Sequence, residues 1–185
     1  MSSIKEWDMH NKNLWAPWRL PYLLALGEDI EQEKKELGML DGDDSGGCFL
    51  QDYWLHPEDD ATNLVIFRNE SGMILLNRYP YSNGHVLVAL GEGRPCLRDY
   101  DKEQRAALWL LVERGCELMD LALNPQGKNI GINEGHAAGA GIPEHLHVHI
   151  VPRWSGDTNF ITVVGEVRVV PSALDAMYEQ FMRVV

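Results

Sequence analysis

The feature that most constrains the fold is a strict alternation of histidine and aliphatic residues at positions 145–150. Successive side chains of a β-strand point to opposite faces of a sheet, so this alternation predicts a strand with one apolar and one polar face. We place the strand at 145–152, with its aliphatic face toward a core and three imidazoles grouped on the other face. The two faces consist of Leu146, Val148 and Ile150 and of His145, His147 and His149, respectively.

Short apolar runs separated by turn residues predict further strands, and two longer segments predict helices. Asp101 can cap the first turn of the longer helix, and Gln104 occupies the reciprocal capping position. Strands beside helices without strict alternation predict an α+β fold, here an antiparallel meander sheet with a long helix and a C-terminal helix. The further strands are predicted at 64–68, 73–77, 85–90 and 129–133, and the helices at 101–123 and 171–183.

The length of 185 residues predicts a single domain spanning 1–185. We divide it into an N-terminal arm, 1–27, an acidic variable segment, 28–60, and a core, 61–185. The acidic segment holds 12 Asp and Glu residues against two Lys, and so carries −10 of the net charge of −12. A phosphate site elsewhere is compatible with this charge, because salt screens it beyond about 8–10 Å. Long nucleic acid is not expected as a partner, since the sequence has no basic stripe to contact its backbone.

The apolar runs of the chain are short and its cysteines are few. No run approaches the roughly 20 apolar residues of a membrane span, and the N-terminal residues lack the pattern of a signal peptide. Cys48, Cys96 and Cys116 are odd in number and far apart, which fits neither a disulfide framework nor a complete thiolate metal site. We expect a cytoplasmic protein with no membrane partner.

Two chemistries fit the histidine face. Imidazoles on one strand can ligate a metal ion. Alternatively, one imidazole can attack phosphorus while its neighbours orient it and bind phosphate oxygens. The glycine-rich segment before the strand favours the second, because Gly135, Gly139 and Gly141 allow backbone N–H groups to approach an anion closely. A histidine-ligated metal protein remains the alternative.

The motif and its surroundings resemble the histidine triad (HIT) family. The run His145-Leu146-His147-Val148-His149-Ile150-Val151 is similar to the family signature, and the upstream segment 77–88 is similar to its counterpart. The segments 14–19 and 144–162 resemble, more narrowly, the bacterial diadenosine tetraphosphate phosphorylase-like HIT proteins. The resemblance covers roughly residues 13–175 and implies a HIT-like fold. It also implies a homodimer with the long helix and neighbouring strands at the interface.

The resemblance implies a role for each matching residue. His147 would be the nucleophile that attacks the α-phosphorus and forms a nucleotidyl-histidine intermediate. His149 and His145 would bind phosphate oxygens and position that ring, and His85 would complete the cluster. Asn77 matches the ribose ligand of the family, and Asn133 matches a polar group that meets the phosphates.

The sequence departs from the family pattern at two places. Gly141 stands where many members have Gln, so the backbone N–H groups of Ala140, Gly141 and Ile142 would hold phosphate there. Many relatives carry a zinc site that begins with Cys-x-x-Cys, but here Cys48 is the single thiol, and the later histidine is missing after strand 85–90. No structural zinc is therefore predicted. No cofactor is expected to be required, although the nucleotide can arrive as its magnesium complex.

The sequence therefore predicts a nucleotide phosphoanhydride hydrolase or nucleotidyltransferase that acts on dinucleoside polyphosphates, with diadenosine tetraphosphate as the expected substrate. The intermediate would form on His147, and phosphate or water would resolve it. Two alternatives stay open: a non-catalytic nucleotide-binding or sensor module on the same fold, motivated by Gly141, and a nucleoside phosphoramidate hydrolase.

Overall fold

The computed structural model describes residues 48–158 and 170–185, together with residues 160 and 164. The described chain contains five strands and three α-helices, joined by loops and short 3₁₀ turns. In chain order, the elements are α1 (Phe49–Leu55), β1 (Val65–Arg68), β2 (Gly72–Leu76), β3 (Val86–Leu90), α2 (Lys102–Leu123), β4 (Gly127–Ile132), β5 (His147–Arg153) and α3 (Leu174–Met182).

The five strands form one antiparallel sheet in the order β1-β2-β3-β5-β4. The first three strands are a meander, as predicted. After α2, the chain forms β4 and then turns back, so that β5 pairs with β3 on one side and with β4 on the other. The histidine strand consequently lies inside the sheet, and its backbone is held from both sides.

The aliphatic face of β5 packs as the alternation predicted. Val148 and Ile150 are fully buried in the main core, where the sheet meets α2 and α3 through residues such as Leu111, Leu118 and Phe181. The predicted α+β fold, with an antiparallel sheet, a long helix and a C-terminal helix, is confirmed. In the part of the chain that the structure describes, none of the helices has both the length and the apolar character needed to cross a membrane.

A second, smaller apolar cluster covers part of the opposite face of the sheet. Leu50 of α1 packs there with Leu75, Leu87 and Ala89 of the strands. This is the face that carries the histidines, because Leu87 lies opposite His149 across the β3–β5 pair. Helix α1 was not predicted, since its seven residues fall in the segment that the sequence presented as acidic and variable. The arm 1–27 and residues 28–47 lie outside the described residues.

Helix α2 begins and ends as the sequence predicted. The Asp101 carboxylate accepts a hydrogen bond from the Gln104 N–H at 2.7 Å, and the Gln104 side chain accepts one from the Asp101 N–H at 3.0 Å. Asn124 follows the last turn in the left-handed conformation, with φ of 45°. Reciprocal capping of this kind fixes where the helix starts, because it satisfies N–H groups that have no partner within the helix.

Three predicted boundaries differ from the structure by two or more residues. Strand β5 begins at His147 rather than His145, because the His145 N–H bonds to the Ile142 carbonyl and the Leu146 N–H to the Arg94 carbonyl, instead of joining the ladder. Strand β4 begins two residues earlier than predicted, at Gly127. Helix α3 begins at Leu174, three residues after the proline expected in its first turn.

We predict that Gly72→Ala destabilises the fold. A Cβ atom at Gly72 would lie 2.2 Å from the Ala89 carbonyl oxygen and 2.8 Å from the Leu90 Cα, so backbone atoms of β3 would have to move. Overpacking of this kind costs about 1–3 kcal/mol of unfolding free energy, measurable by urea denaturation. Gly131→Ala on β4 is the matched control, because no atom lies within 4 Å of its added Cβ. Equal midpoints for the two variants would contradict the prediction.

Candidate active site

Two histidines of β5 line a cavity on the face of the sheet that lies away from α2. His147 and His149 have ring centroids 4.9 Å apart and are 5% and 9% exposed, respectively. The cavity has a volume of about 470 Å³, within the range of small-molecule sites. Its apolar lining comes from the strands and from α1, and the histidines are joined there by Asn77 and by the glycine loop. Among the lining residues are Phe49, Tyr53, Leu75, Leu87, Gly141 and Ile142.

The imidazole of His147 is held in one tautomer by a backbone carbonyl. Its Nδ1 lies 2.9 Å from the carbonyl oxygen of His145. A carbonyl oxygen can only accept, so Nδ1 carries the proton and Nε2 carries the lone pair. Burial lowers the pKa of His147, which keeps the ring neutral. His147 therefore meets the requirement for a nucleophile, an unprotonated nitrogen on an oriented ring.

The imidazole of His149 is held in the opposite tautomer by His85. The Tyr81 N–H donates to His85 Nδ1 at 3.1 Å, and the Asn77 side-chain amide donates to the same atom at 3.3 Å. The proton of His85 therefore sits on Nε2, which donates to His149 Nδ1 at 3.0 Å. Because Nδ1 of His149 accepts, its proton sits on Nε2. That atom lies 3.4 Å from Asn133 Nδ2, which is also a donor, so the two nitrogens do not hydrogen-bond to each other in this tautomer.

The two cavity histidines thus offer complementary groups. His147 presents a lone pair, while His149 presents an N–H donor. Burial is the main reason that the pKa of His149 is lowered to about 4, and the neighbouring His147 makes a smaller contribution in the same direction. Both rings are neutral at pH 7. A lone pair and a donor beside each other can attack an electrophilic centre and bind the oxygen on which negative charge develops.

His145 occupies a different position from the other two members of its motif. Its ring is fully buried, with Nε2 donating to the Leu90 carbonyl at 2.8 Å and Nδ1 lying 3.1 Å from the Cys48 sulfur. The predicted contact between this ring and phosphate oxygens would require it to leave both partners. In the structure, the backbone carbonyl of His145 accepts the hydrogen bond from His147 Nδ1.

The asparagines predicted to bind substrate both lie at the site. The amide of Asn77 lines the cavity, donates to His85 and accepts from the Tyr79 N–H at 2.9 Å. It therefore helps set the tautomer of His85, and its contact with a ribose stays a prediction. Asn133 lies beside His149, where it is placed to meet an oxygen that His149 contacts.

Two of the three predicted backbone donors in the glycine loop reach the cavity. Gly141 and Ile142 line it, whereas the N–H of Ala140 bonds to the Gly135 carbonyl at 3.2 Å. The predicted contact of the Ala140 N–H with phosphate would require it to leave this bond within the loop. The turn depends on positive φ angles at Gly135 and Gly139, of 83° and 87°. Residues with a Cβ rarely adopt these angles.

Sequence reasoning missed three aromatic residues of the site. Phe49 and Tyr53 of α1 line the cavity and contact each other with ring centroids 5.1 Å apart. Their spacing of four residues was a helical signal that the acidic surroundings obscured. Tyr81 stacks on His149 at 5.6 Å between centroids, inside the upstream segment that the motif analysis had already identified.

Metal ligation was the alternative chemistry for the histidine face. Within residues 48–158 and 170–185, no group of three or more His, Cys, Asp or Glu side chains is arranged to hold a metal ion. Cys48 and His145 are in contact and could supply two metal ligands, whereas a structural zinc takes four protein ligands.

Comparison with known proteins identifies the family. A model described as the HIT domain matches residues 58–156, and the chain belongs to the HIT family. An AP-4-A phosphorylase of Mycobacterium tuberculosis is 33% identical over 164 residues, which cover 88% of this chain and 78% of that protein. A bis(5'-adenosyl)-triphosphatase of Dictyostelium discoideum is 35% identical over 89 residues, which cover 48% of this chain and 59% of that protein.

Solved structures show the same fold. A zinc-bound histidine triad family protein from Mycobacterium smegmatis has a TM-score of 0.60 at 26% identity, covering 74% of this chain and 91% of its own. A hypothetical histidine triad nucleotide-binding protein from Sulfolobus tokodaii has a TM-score of 0.58 at 24% identity, covering 71% of this chain and 89% of its own. The predicted HIT membership and HIT-like fold are confirmed.

We predict that His149 titrates with a midpoint near 4, because burial disfavours its charged form. A pH titration of the histidine ring protons by NMR measures this midpoint. His56 is the internal control, since its hydrogen bond to the Asp52 carbonyl raises its pKa above the ordinary value of 6.5. A midpoint for His149 at or above that of His56 would contradict the assigned environment.

The lowered pKa of His149 also predicts how the stability of the fold changes with pH. The unfolded chain protonates His149 near 6.5, whereas the folded chain does so near 4. The neutral ring therefore stabilises the fold fully above pH 6.5, and this contribution is lost as the pH falls from 6.5 toward 4. The midpoint of urea denaturation should therefore be lower at pH 5 than at pH 7.

Proposed function

We propose that this chain is an enzyme that cleaves dinucleoside polyphosphates, with diadenosine tetraphosphate as substrate, through a nucleotidyl intermediate on His147. The observation that carries the proposal is the pair of opposite tautomers at the cavity, a lone pair on His147 beside an N–H donor on His149. The names of the relatives support the substrate class, since they include an AP-4-A phosphorylase and a bis(5'-adenosyl)-triphosphatase.

In the first step, His147 Nε2 attacks the α-phosphorus and the bond to the bridging oxygen breaks, releasing the rest of the polyphosphate. The His145 carbonyl, which already accepts a hydrogen bond from His147 Nδ1–H, stabilises the positive charge that develops on the ring. His149 donates from Nε2 to the phosphate oxygens, where preorganised donors stabilise the transition state. In the second step, phosphate or water attacks the same phosphorus and frees His147.

The cavity supports placing the nucleoside against α1. Phe49 and Tyr53 give an aromatic wall, and Leu75 and Leu87 give an aliphatic floor beside the histidines. A planar base gains apolar contact on such a surface. Asn77 lines the same cavity and donates to His85. There it would meet the ribose, and the Gly141 and Ile142 segment would meet the phosphates.

We predict that His147→Ala abolishes turnover while nucleotide binding changes by no more than about tenfold, or 1.4 kcal/mol. The variant removes the attacking nitrogen and leaves the apolar walls intact. Purified protein is incubated with diadenosine tetraphosphate, with and without inorganic phosphate, and products are separated by ion-exchange chromatography. AMP affinity is measured in parallel by calorimetry.

The products distinguish the candidate functions. ADP plus ATP formed only with phosphate identifies a phosphorylase, whereas AMP plus ATP formed regardless of phosphate identifies a hydrolase. AMP binding without product would support a non-catalytic binding module. Turnover of a nucleoside phosphoramidate, with no turnover of diadenosine tetraphosphate, would support a nucleoside phosphoramidate hydrolase. Turnover retained in His147→Ala would contradict the mechanism. Addition of magnesium or EDTA tests the proposal that no cofactor is required beyond magnesium carried by the nucleotide.

We also propose a homodimer formed through α2 and the edge strand β4, in a cytoplasmic location. Trp109, Leu110 and Leu121 of α2 are 45%, 65% and 64% exposed, and Ile130 of β4 is 45% exposed. Lys128 of β4 pairs with Asp120 of α2, so the two elements form one continuous surface. Exposed apolar groups beside the edge strand of the described sheet favour association with a second copy. The three free cysteines support a reducing compartment.

We predict that Leu110→Glu converts the dimer into a monomer, because a charge would be buried at the interface. Light scattering coupled to size-exclusion chromatography measures the mass. Leu55→Glu is the matched control, since Leu55 is 63% exposed on α1, away from this surface. A monomeric parent protein, or a Leu110→Glu protein that remains dimeric, would contradict the interface.

A further inference from the structure

Two hydrogen bonds connect the start of α1 to the proposed nucleophile through His145, and a third anchors the His145 ring to β3. Cys48 Sγ lies 3.1 Å from His145 Nδ1, and His145 Nε2 lies 2.8 Å from the Leu90 carbonyl oxygen. The His145 carbonyl in turn accepts from His147 Nδ1 at 2.9 Å. His145 is thus anchored through its ring on one side and contacts His147 through its backbone on the other.

The direction of each bond follows from the chemistry of its partners. The Leu90 carbonyl can only accept, so His145 carries its proton on Nε2, and its Nδ1 must accept. The donor to Nδ1 is then the Cys48 thiol. Burial lowers the pKa of His145 and raises the pKa of the Cys48 thiol, so both groups are held in their neutral forms. A neutral thiol donating to a neutral imidazole is consistent with both shifts.

The position of His145 in the fold makes this anchor consequential. His145 lies two residues before β5 begins, so the pairing with β3 that holds the backbone of His147 does not extend to it. Its ring fits a narrow slot, since a Cβ atom at Gly93 would lie 2.7 Å from Nδ1. The Leu146 N–H bond to the Arg94 carbonyl holds the His145–Leu146 peptide on one side, and the ring fixed at the bottom of that slot holds the residue on the other.

We propose that Cys48 is a positioning residue for the reaction: its thiol fixes the ring of His145, and through the His145 carbonyl it fixes the tautomer and direction of His147. Cys48 also immediately precedes α1, whose Phe49 and Tyr53 line the cavity. The same contact therefore ties the wall proposed for the nucleoside to the proposed nucleophile. This inference rests on the proposed role of His147, but its structural part can be measured without turnover.

The test compares variants that separate the donor from the shape of the side chain. Cys48→Val keeps the approximate shape and removes the donor, while Cys48→Ser keeps a donor. Cys116→Val is the matched control, because Cys116 is a similarly half-buried thiol on α2, in contact with the main core. Turnover of diadenosine tetraphosphate gives kcat and KM, and long-range ¹H–¹⁵N NMR of the histidine rings reports which nitrogen of His145 and of His147 carries the proton.

We expect Cys48→Val to lower kcat about tenfold, the effect of losing one hydrogen bond in the transition state, with a smaller change in KM. His145 and His147 should then show averaged nitrogen shifts in place of single tautomers. Cys48→Ser should restore the parent spectrum and kcat to within about threefold, and Cys116→Val should resemble the parent protein. Rescue by serine would not be expected if Cys48 only filled space.

Several outcomes would overturn the inference. One is an unchanged kcat together with unchanged nitrogen shifts in Cys48→Val, and another is an equal loss in Cys116→Val. Stoichiometric zinc in the parent protein that disappears in Cys48→Ser would replace the hydrogen bond with a metal site. If the parent protein turns over none of the substrates, the proposed function fails, while the spectra of Cys48→Val still decide whether the thiol sets the tautomers of His145 and His147.

Discussion

The placement of β5 between β3 and β4 is the constraint on which the site depends. Pairing with β3 fixes the backbone of His147 and His149, and pairing with β4 holds His149 from the other side. The buried Val148 and Ile150 prevent the strand from slipping by one residue. A slip of one position would turn the histidines into the core and the aliphatic side chains into the cavity. The same packing that stabilises the sheet therefore places the imidazoles of His147 and His149 side by side in the cavity.

Burial shapes the chemistry of those imidazoles as much as position does. Leu87 and Ala89 of β3 lie opposite His149 and His147 in register, and they belong to the apolar cluster under α1. Removing water from the rings lowers their pKa values, and the hydrogen bonds from the protein then determine which nitrogen keeps its proton. The result is two adjacent neutral rings with opposite tautomers, one suited to attack and the other to donation.

Two of the buried motif histidines are satisfied by partners outside the motif, whereas His147 bonds to the His145 carbonyl within it. His149 bonds to His85, which accepts from Asn77 and Tyr81, whereas His145 bonds to Leu90 and contacts Cys48. Buried polar groups are costly without such partners, so the loops before β3 and β5 and the start of α1 have to be in place for the rings to be held. The site is consequently a product of three separate segments that the sheet brings together.

The alternation at 145–150 by itself determined a strand with a polar and an apolar face, because the two-residue period of a strand assigns every side chain to a face. Capping at Asp101 determined where α2 begins, since that bond is local. The sequence did not determine which imidazole nitrogens carry protons, that His145 turns away from the cavity, or that Phe49 and Tyr53 complete it. Those features depend on contacts between residues distant in the chain, such as Cys48 with His145, and only the tertiary structure decides them.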